Sequence, residues 1–306
     1  MDQIQKDVLT AIADIDDFPA EGAYNIRING KSIGMMSTED VKIVPKPDSS
    51  GMDIYIAPGT KKERIHIPVV ISDTGLQEVV YNDFHIGEGA DVSIVAGCGI
   101  HNHGDEMARH DGVHTFNVGE NARVLYIEKH YASGEGKGER VLNPVTVVNI
   151  EKGGYMEMDT VQIRGVDSTK RVTRANIGEG GTLIIHEKLM THGTQYAETE
   201  FDVDLNGFGS AAHVVSRSVA SDESKQLFIA NMNGNDDCHG HSECDAIIMD
   251  SATVRAIPEI CANHADATLI HEATIGKIAG EQLIKLMTFG LTEAEAEEQI
   301  INGFLK

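Results

Sequence analysis

Apolar residues at Ile4, Val8, Leu9, Ile12 and Ile15 recur at helical spacing, which predicts an amphipathic helix over residues 2–15. The period then changes to two. Residues 40–72 alternate as strands do, in Asp40-Val41-Lys42-Ile43-Val44 and again in Arg64-Ile65-His66-Ile67-Pro68-Val69-Val70. From about residue 80 a longer rhythm overlies the alternation. Phe84-His85-Ile86-Gly87-Glu88-Gly89-Ala90, Phe116-Asn117-Val118-Gly119-Glu120-Asn121-Ala122, Asn149-Ile150-Glu151-Lys152-Gly153-Gly154, Asn176-Ile177-Gly178-Glu179-Gly180-Gly181 and Asp204-Leu205-Asn206-Gly207-Phe208-Gly209 share one plan. Each ends a strand on an apolar residue, turns through glycine and starts another strand.

The marker residues Ile86, Val118, Ile150, Ile177 and Leu205 lie 27–32 positions apart, a period that predicts stacked supersecondary units. No segment of helical period interrupts them, which speaks against βαβ classes. A β-solenoid fits regular turns of similar chemistry better than a sandwich or a double-stranded β-helix does. Helix signals return at the end, over His271–Leu291 and Thr292–Leu305. Thr292 with Glu295 three residues later has the form of a capping box, and Gly290 suits the end of the preceding helix. The expected division is an N-terminal helix and strand region over 1–79, a solenoid core over 80–257 and a C-terminal helical domain over 258–306.

Composition narrows the function classes. The net charge of −23 lacks the basic stripe that nucleic acid or an anionic membrane requires. With aromatics at 5% and no Trp, the core must be built from aliphatic residues and Met. The chain starts without a basic, then apolar, leader and has no run of ~18 apolar residues, so a cytoplasmic location is expected. In that reducing compartment the four cysteines read as ligands, reactive thiols or packing rather than disulfides.

The densest chemistry lies in Asn235-Asp236-Asp237-Cys238-His239-Gly240-His241-Ser242-Glu243-Cys244-Asp245, followed by Cys261, His264, His271 and Glu272. Thiolates suit iron–sulfur clusters, Zn and Cu(I), but this spacing matches neither a zinc finger nor a ferredoxin run. The spacing alone leaves ligands and buried thiols equally open. A second cluster, Cys98-Gly99-Ile100-His101-Asn102-His103-Gly104-Asp105-Glu106, places His101 and His103 on one face of a strand, as cupin metal sites do, with Glu106 nearby. Its plainer reading is a polar, histidine-rich turn. Gly134-Glu135-Gly136-Lys137-Gly138 lacks the following Ser/Thr and the strand–helix context of a phosphate loop.

The stretch from Cys238 through Ile247, with Pro258-Glu259-Ile260, His271-Glu272-Ala273-Thr274-Ile275-Gly276-Lys277-Ile278, Glu281-Gln282-Leu283, Gly290–Ala296 and Ile301-Asn302-Gly303-Phe304, resembles the SufB/SufD family of the SUF iron–sulfur cluster assembly system. Gly97–His103 and His110–His114 add to the match. The resemblance implies a right-handed parallel β-helix with a C-terminal helical domain. It also implies a non-catalytic scaffold for cluster assembly and transfer, working with a SufC-like ABC-type ATPase docked on that domain. A second subunit, here a second copy, would pair through the β-helix, and apo iron–sulfur proteins would be recipients. Carried over residue by residue, it implies Cys261 before the His-Glu-Ala motif and His271 within it as ligand positions. Glu281, Leu291, Glu293 and Glu295 are the implied docking residues. The chain departs from the family in a shorter N-terminus and in having Cys238 and Cys244. The resulting expectation is a cluster, with 4Fe–4S favoured, held by Cys238, Cys244 and Cys261 with His271 or Glu272 as a labile or supporting ligand. A cupin-like metal enzyme centred on His101, His103 and Glu106 is the alternative.

Overall fold

The computed structural model describes the backbone of residues 1–306 and the side chains of all of them except 163 and 164. The first helix, α1, spans Gln3–Ala13. After short antiparallel pairs (Ala23–Ile28 with Lys31–Met36, Val41–Pro45 with Gly51–Ile56), the chain winds alternately through two sheets. Successive strands Asp91–His101, Arg123–Ser133, Tyr155–Arg164, Thr182–Thr191, Ala211–Ala220, His239–Ile248 and Thr268–Gly276 stack in parallel in the first sheet. The second sheet stacks Gln77–Ile86, Ala108–Val118, Val145–Ile150, Ser168–Ile177, Tyr196–Leu205, Lys225–Gly234 and Thr253–Ala262 in parallel. This is a parallel β-solenoid, mainly β, with helices at both ends, as the repeat pattern predicts.

The marker residues are the last residues of consecutive strands in the second sheet. Ile86 pairs in register with Val118, Val118 with Ile150, Ile150 with Ile177 and Ile177 with Leu205. All five are buried. Their spacing shortens because the early turns carry longer connections, 102–107 and 134–139, where later turns use only 192–195 or 221–224.

The interior has an apolar and a polar column. Phe84 and Phe116 stack at 4.4 Å in the first, which continues through Ile177, Phe201, Leu205 and Met232. In the second, donor order is fixed along a chain of side chains. The Met52 amide donates to Asn82 Oδ1, and Asn82 Nδ2 donates to His114 Nε2 at 3.3 Å. Tyr126 donates its hydroxyl proton to Glu128 at 3.0 Å, so the 2.8 Å contact from His114 Nδ1 to that hydroxyl must carry the imidazole proton. Glu128 then pairs with Arg171, whose Nε lies 3.5 Å from Glu187. Burial works most strongly against the Glu128 charge, but Arg171, His130 and His114 together outweigh it and hold the carboxyl well below its ordinary range.

On the outside of the first sheet, α1 seats Val8, Leu9, Ile12 and Ala13 against Ile26, Val70 and Val95. Two glycines make the close approach possible. A Cβ on Gly97 would sit 2.4 Å from the Ile12 carbonyl oxygen, and one on Gly99 would sit 2.2 Å from Val8 Cγ1.

At the far end one reading is corrected. Residues 271–276 lie in the strand Thr268–Gly276, not in a helix over His271–Leu291, and both sheets continue past residue 258. The next helix, α2, covers only Gly280–Met287, and α3 covers Glu293–Phe304. Helix-favouring residues such as Glu272 and Ala273 are overridden by the parallel ladder they join. The Thr292–Glu295 capping box forms as the sequence predicts.

Candidate functional site

The last turn of the solenoid gathers the chemistry, and strand alternation sorts it by face. On His239–Ile248, Gly240, Ser242, Cys244 and Ala246 point inward, while His241, Glu243 and Asp245 point outward. The register with Thr268–Gly276 pairs Ser242 with His271, Glu243 with Glu272 and Cys244 with Ala273. His271 therefore shares the inner face with Cys244, and Glu272 shares the outer face with Glu243.

Cys244 is fully buried, and its thiol is pushed up to about 12 by burial, then by the Glu187 carboxylate and Asp245. Glu187, Ser216 and Cys244 are register partners on three adjacent strands and line one narrow cavity. Glu187 accepts hydrogen bonds from Ser216 Oγ at 2.6 Å and Thr199 Oγ1 at 2.9 Å. One strand further on, Ser242 Oγ and His271 Nδ1 share a hydrogen bond of 2.6 Å, leaving His271 Nε2 buried without a partner. Burial, then the neighbouring His241, lowers the His271 pKa and favours the neutral imidazole, the form that ligates a metal.

The other two cysteines do not join this pair. Cys238 is buried in the apolar core six positions before Cys244, and six extended residues at ~3.3 Å each separate them by roughly 20 Å. Cys261 lies on Thr253–Ala262 of the opposite sheet, paired with the outward Asn233. It is exposed, and its thiol donates to Asn263 Oδ1 at 3.1 Å. Three cysteines close in sequence thus occupy three separate environments.

The outer face brings together residues that cysteine counting misses. Ligand atoms of His241, Glu243 and Glu272 lie within 4.8 Å of one another, the one such group of three among the described residues. His101, His103 and Glu106 form no such group. The His101 and His103 rings are 6.3 Å apart, and His101 Nδ1 bonds Ser133 Oγ at 2.9 Å. Glu106 lies against Gly75, where a Cβ would come within 2.3 Å of its Oε2. A signal for the outer group was present in the sequence. Positions 243 and 272 are 29 apart, one repeat of the solenoid.

The expected docking residues are on the surface of the helical end. Glu281 and Glu293 occupy the first turns of α2 and α3, Glu295 closes the α3 capping box, and Leu291 is half-buried between the helices. Glu295 accepts from the Thr292 amide at 2.8 Å, and that bond, with one from the Thr292 hydroxyl, lowers its pKa. Among the described residues, no helix is long and apolar enough to cross a membrane.

The last turn of this parallel β-solenoid sets a buried thiol and an imidazole on its inner face and a His–Glu–Glu group on its outer face, a class of site whose donor types suit transition-metal ions. Comparison with known proteins gives the family. The family described as "SUF system FeS cluster assembly, SufBD core domain" matches residues 71–304. An iron–sulfur cluster assembly SufBD family protein of Pyrococcus horikoshii is 30% identical over 280 residues, covering 90% of this chain and 84% of the relative. Relatives with the same description from Archaeoglobus fulgidus (28% identical, 88% of this chain and 71% of the relative) and Methanocaldococcus jannaschii (26%, 93% and 86%) also match. The chain belongs to the SufBD family, whose role lies in iron–sulfur cluster assembly.

Proposed function

We propose that this chain is the scaffold on which an iron–sulfur cluster, 4Fe–4S in our reading, is built and passed to apo recipient proteins. A SufC-like ABC-type ATPase docks on α2 and α3 and supplies ATP hydrolysis; the scaffold itself is not a catalyst and works in the cytoplasm. A second copy pairs with it along the solenoid. The observation that carries this reading is the placement of Cys244, His271 and Glu272 on the last two strands of the first sheet, the outer one of which has an unpaired edge. An unpaired edge is a ready template for another chain.

Cys244 and His271, on the inner face, form the core of the proposed ligand set. Glu272, on the outer face, and Cys238 and Cys261 join it only through a rearrangement of the last turn. A thiol pushed up to about 12 is a poor ligand until it loses its proton, so cluster uptake requires the Thr268–Gly276 strand to move and open the Cys244 cavity. Nucleotide turnover in the docked ATPase drives that opening.

Anaerobic reconstitution of the full chain with iron and sulfide tests the reading. Cys244→Ser should lose cluster absorbance and acid-labile sulfide, with Cys238→Ser and Cys261→Ser each lowering them only in part. If Cys244→Ser reaches wild-type iron and sulfide content, the ligand assignment is wrong.

A further inference from the structure

The outer face of the last turn holds an arrangement that the thiol-based reading touches only at Glu272. Along one outward row of the first sheet, His213 and His241 stack at 4.9 Å with rings 8° from parallel. In the next row Glu243 stands beside Glu272 on the neighbouring strand. Nε2 of His213 and Nε2 of His241 are both buried and without a hydrogen-bond partner. His241 Nε2 faces Glu272 Oε2 at 3.6 Å, too long for a hydrogen bond. The buried, unpartnered Nε2 of His241, beside the carboxylates of Glu243 and Glu272, is free to offer its lone pair to a cation.

We propose that His241, Glu243 and Glu272 form a thiol-free site for a single divalent transition-metal ion of the ferrous class, with His213 positioned behind His241 by ring stacking. The donor set decides the class. One imidazole and two carboxylates suit borderline divalent ions such as Fe(II), Mn(II) or Zn(II), whereas Cu(I) prefers thiolates. Metal–ligand bonds of ~2.0–2.2 Å require the donor atoms to draw closer than their present spread. Glu272 has the freedom to do this, because its side chain is 66% exposed and anchored only by its strand. Arg217 lies 4.0 Å from Glu243 and offsets part of the negative charge.

The site adjoins the proposed cluster position through the backbone alone. Glu243 and Cys244 are consecutive residues on opposite faces of one strand. An ion held outside the sheet is one residue away from the thiol inside it. In the assembly reading of the last turn, on which this role rests, the outer site is where iron waits before it meets sulfur.

Anaerobic titration of the reduced, full-length chain with Co(II), a spectroscopic stand-in for Fe(II), tests the site without needing a cluster. One ion per chain should bind with ligand-field bands of nitrogen and oxygen coordination and no thiolate charge-transfer band. His241→Asn and Glu243→Gln should each weaken binding at least ~10-fold, the loss expected when a ligand or its immediate support is removed. Thermal melts of the variants identify any that fail to fold, and Glu272→Gln, at an exposed position, provides a third variant. A thiolate charge-transfer band, or wild-type affinity in Glu243→Gln and Glu272→Gln together, overturns the proposal. No Co(II) binding in the wild type, with cluster reconstitution intact, rejects this site alone. Intact Co(II) binding with no reconstitution in the wild type rejects the scaffold reading alone.

Discussion

At the N-terminal end of the solenoid, α1 buries Val8, Leu9, Ile12 and Ala13 against the outside of the first sheet, and short antiparallel strands extend both sheets. At the C-terminal end α2 buries no residue, and Ile260, Ile270 and Ile275 on the last strands are exposed, as are Ile284, Met287 and Phe289 beyond them. Stacked repeats need a cap at each end to stay soluble. Among the described residues, only the first end carries a well-packed one. The packed helix lies at the N-terminal end, and the exposed apolar residues lie at the other, with the thiol and the His–Glu–Glu group of the last turns.

The largest expected effect is on packing. Ile12→Ala removes a fully buried side chain and should cost about 2–5 kcal/mol in urea unfolding. Ile284→Ala, at a side chain 63% exposed, should stay within about 0.5 kcal/mol. Equal losses would show that the C-terminal helices are packed as firmly as α1 and would remove the contrast.

Acid separates the ends next. Burial, against the pull of Glu128, lowers the His114 pKa to about 4, and His66 is likewise lowered to about 4, first by burial and then by Arg64. A histidine whose folded pKa lies below its unfolded value favours folding above the unfolded pKa. That contribution shrinks as pH falls from 6.5 to about 4 and is gone below it. For the fully buried His114 it is on the order of 3 kcal/mol. Protonated, its Nε2–H would also face the Asn82 amide donor. His114→Gln should flatten the fall in urea midpoint across this window; an unchanged slope would assign acid sensitivity to other groups.

Much of this architecture was legible in the sequence because it is periodic. The markers Ile86 to Leu205 reported strand ends directly, since every turn must place an apolar residue at the same point of the cross-section. The helical spacing from Ile4 to Ile15 reported α1, which falls at Gln3–Ala13. Legibility failed where context overrides propensity. Residues 271–276 read as helix by composition, but pairing with His239–Ile248 makes them strand. The thiols failed for a geometric reason. Nearness in sequence is not nearness in an extended chain, so Cys238 and Cys244 stand far apart while Glu243 and Glu272, one repeat apart, meet. The interior polar column from Asn82 to Glu187 had no sequence signature, because its members come from different turns.

Thiol chemistry gives a third measure of the contrast. Cys98 in the early turns is fully buried and raised well above its ordinary pKa by burial and then by Glu128, whereas Cys261 in the last turn is exposed. Alkylation of the folded chain by iodoacetamide at pH 8 should modify Cys261 at least ~100-fold faster than Cys98 or Cys244, because rate follows exposure and thiolate fraction. Equal rates at Cys244 and Cys261 would mean that the last turn opens readily without a partner.

The smallest effect compares two capping boxes of the same design. Asp2 Oδ1 accepts from the Gln5 amide at 2.8 Å, and the Gln5 side chain accepts from the Asp2 amide at 3.1 Å. Thr292 and Glu295 repeat the exchange on α3. Because α1 is packed into the body, Asp2→Ala should lower global stability by ~1 kcal/mol. Thr292→Ala should leave the global urea midpoint unchanged, since α3 buries only Ala296 along its length, and act instead on local fraying, read as faster hydrogen exchange at the Ala296 amide. Glu295 adds a pH signature. Its lowered pKa makes its contribution present above the ordinary carboxylate value and lost as pH falls through the folded one. Protection of the first turn of α3 should decline in acid in the wild type and lose that dependence in Glu295→Gln, which has no titrating carboxyl. A fall in global midpoint from Thr292→Ala matching that from Asp2→Ala would mean that α3 unfolds only with the solenoid, and the two ends would then form one cooperative unit.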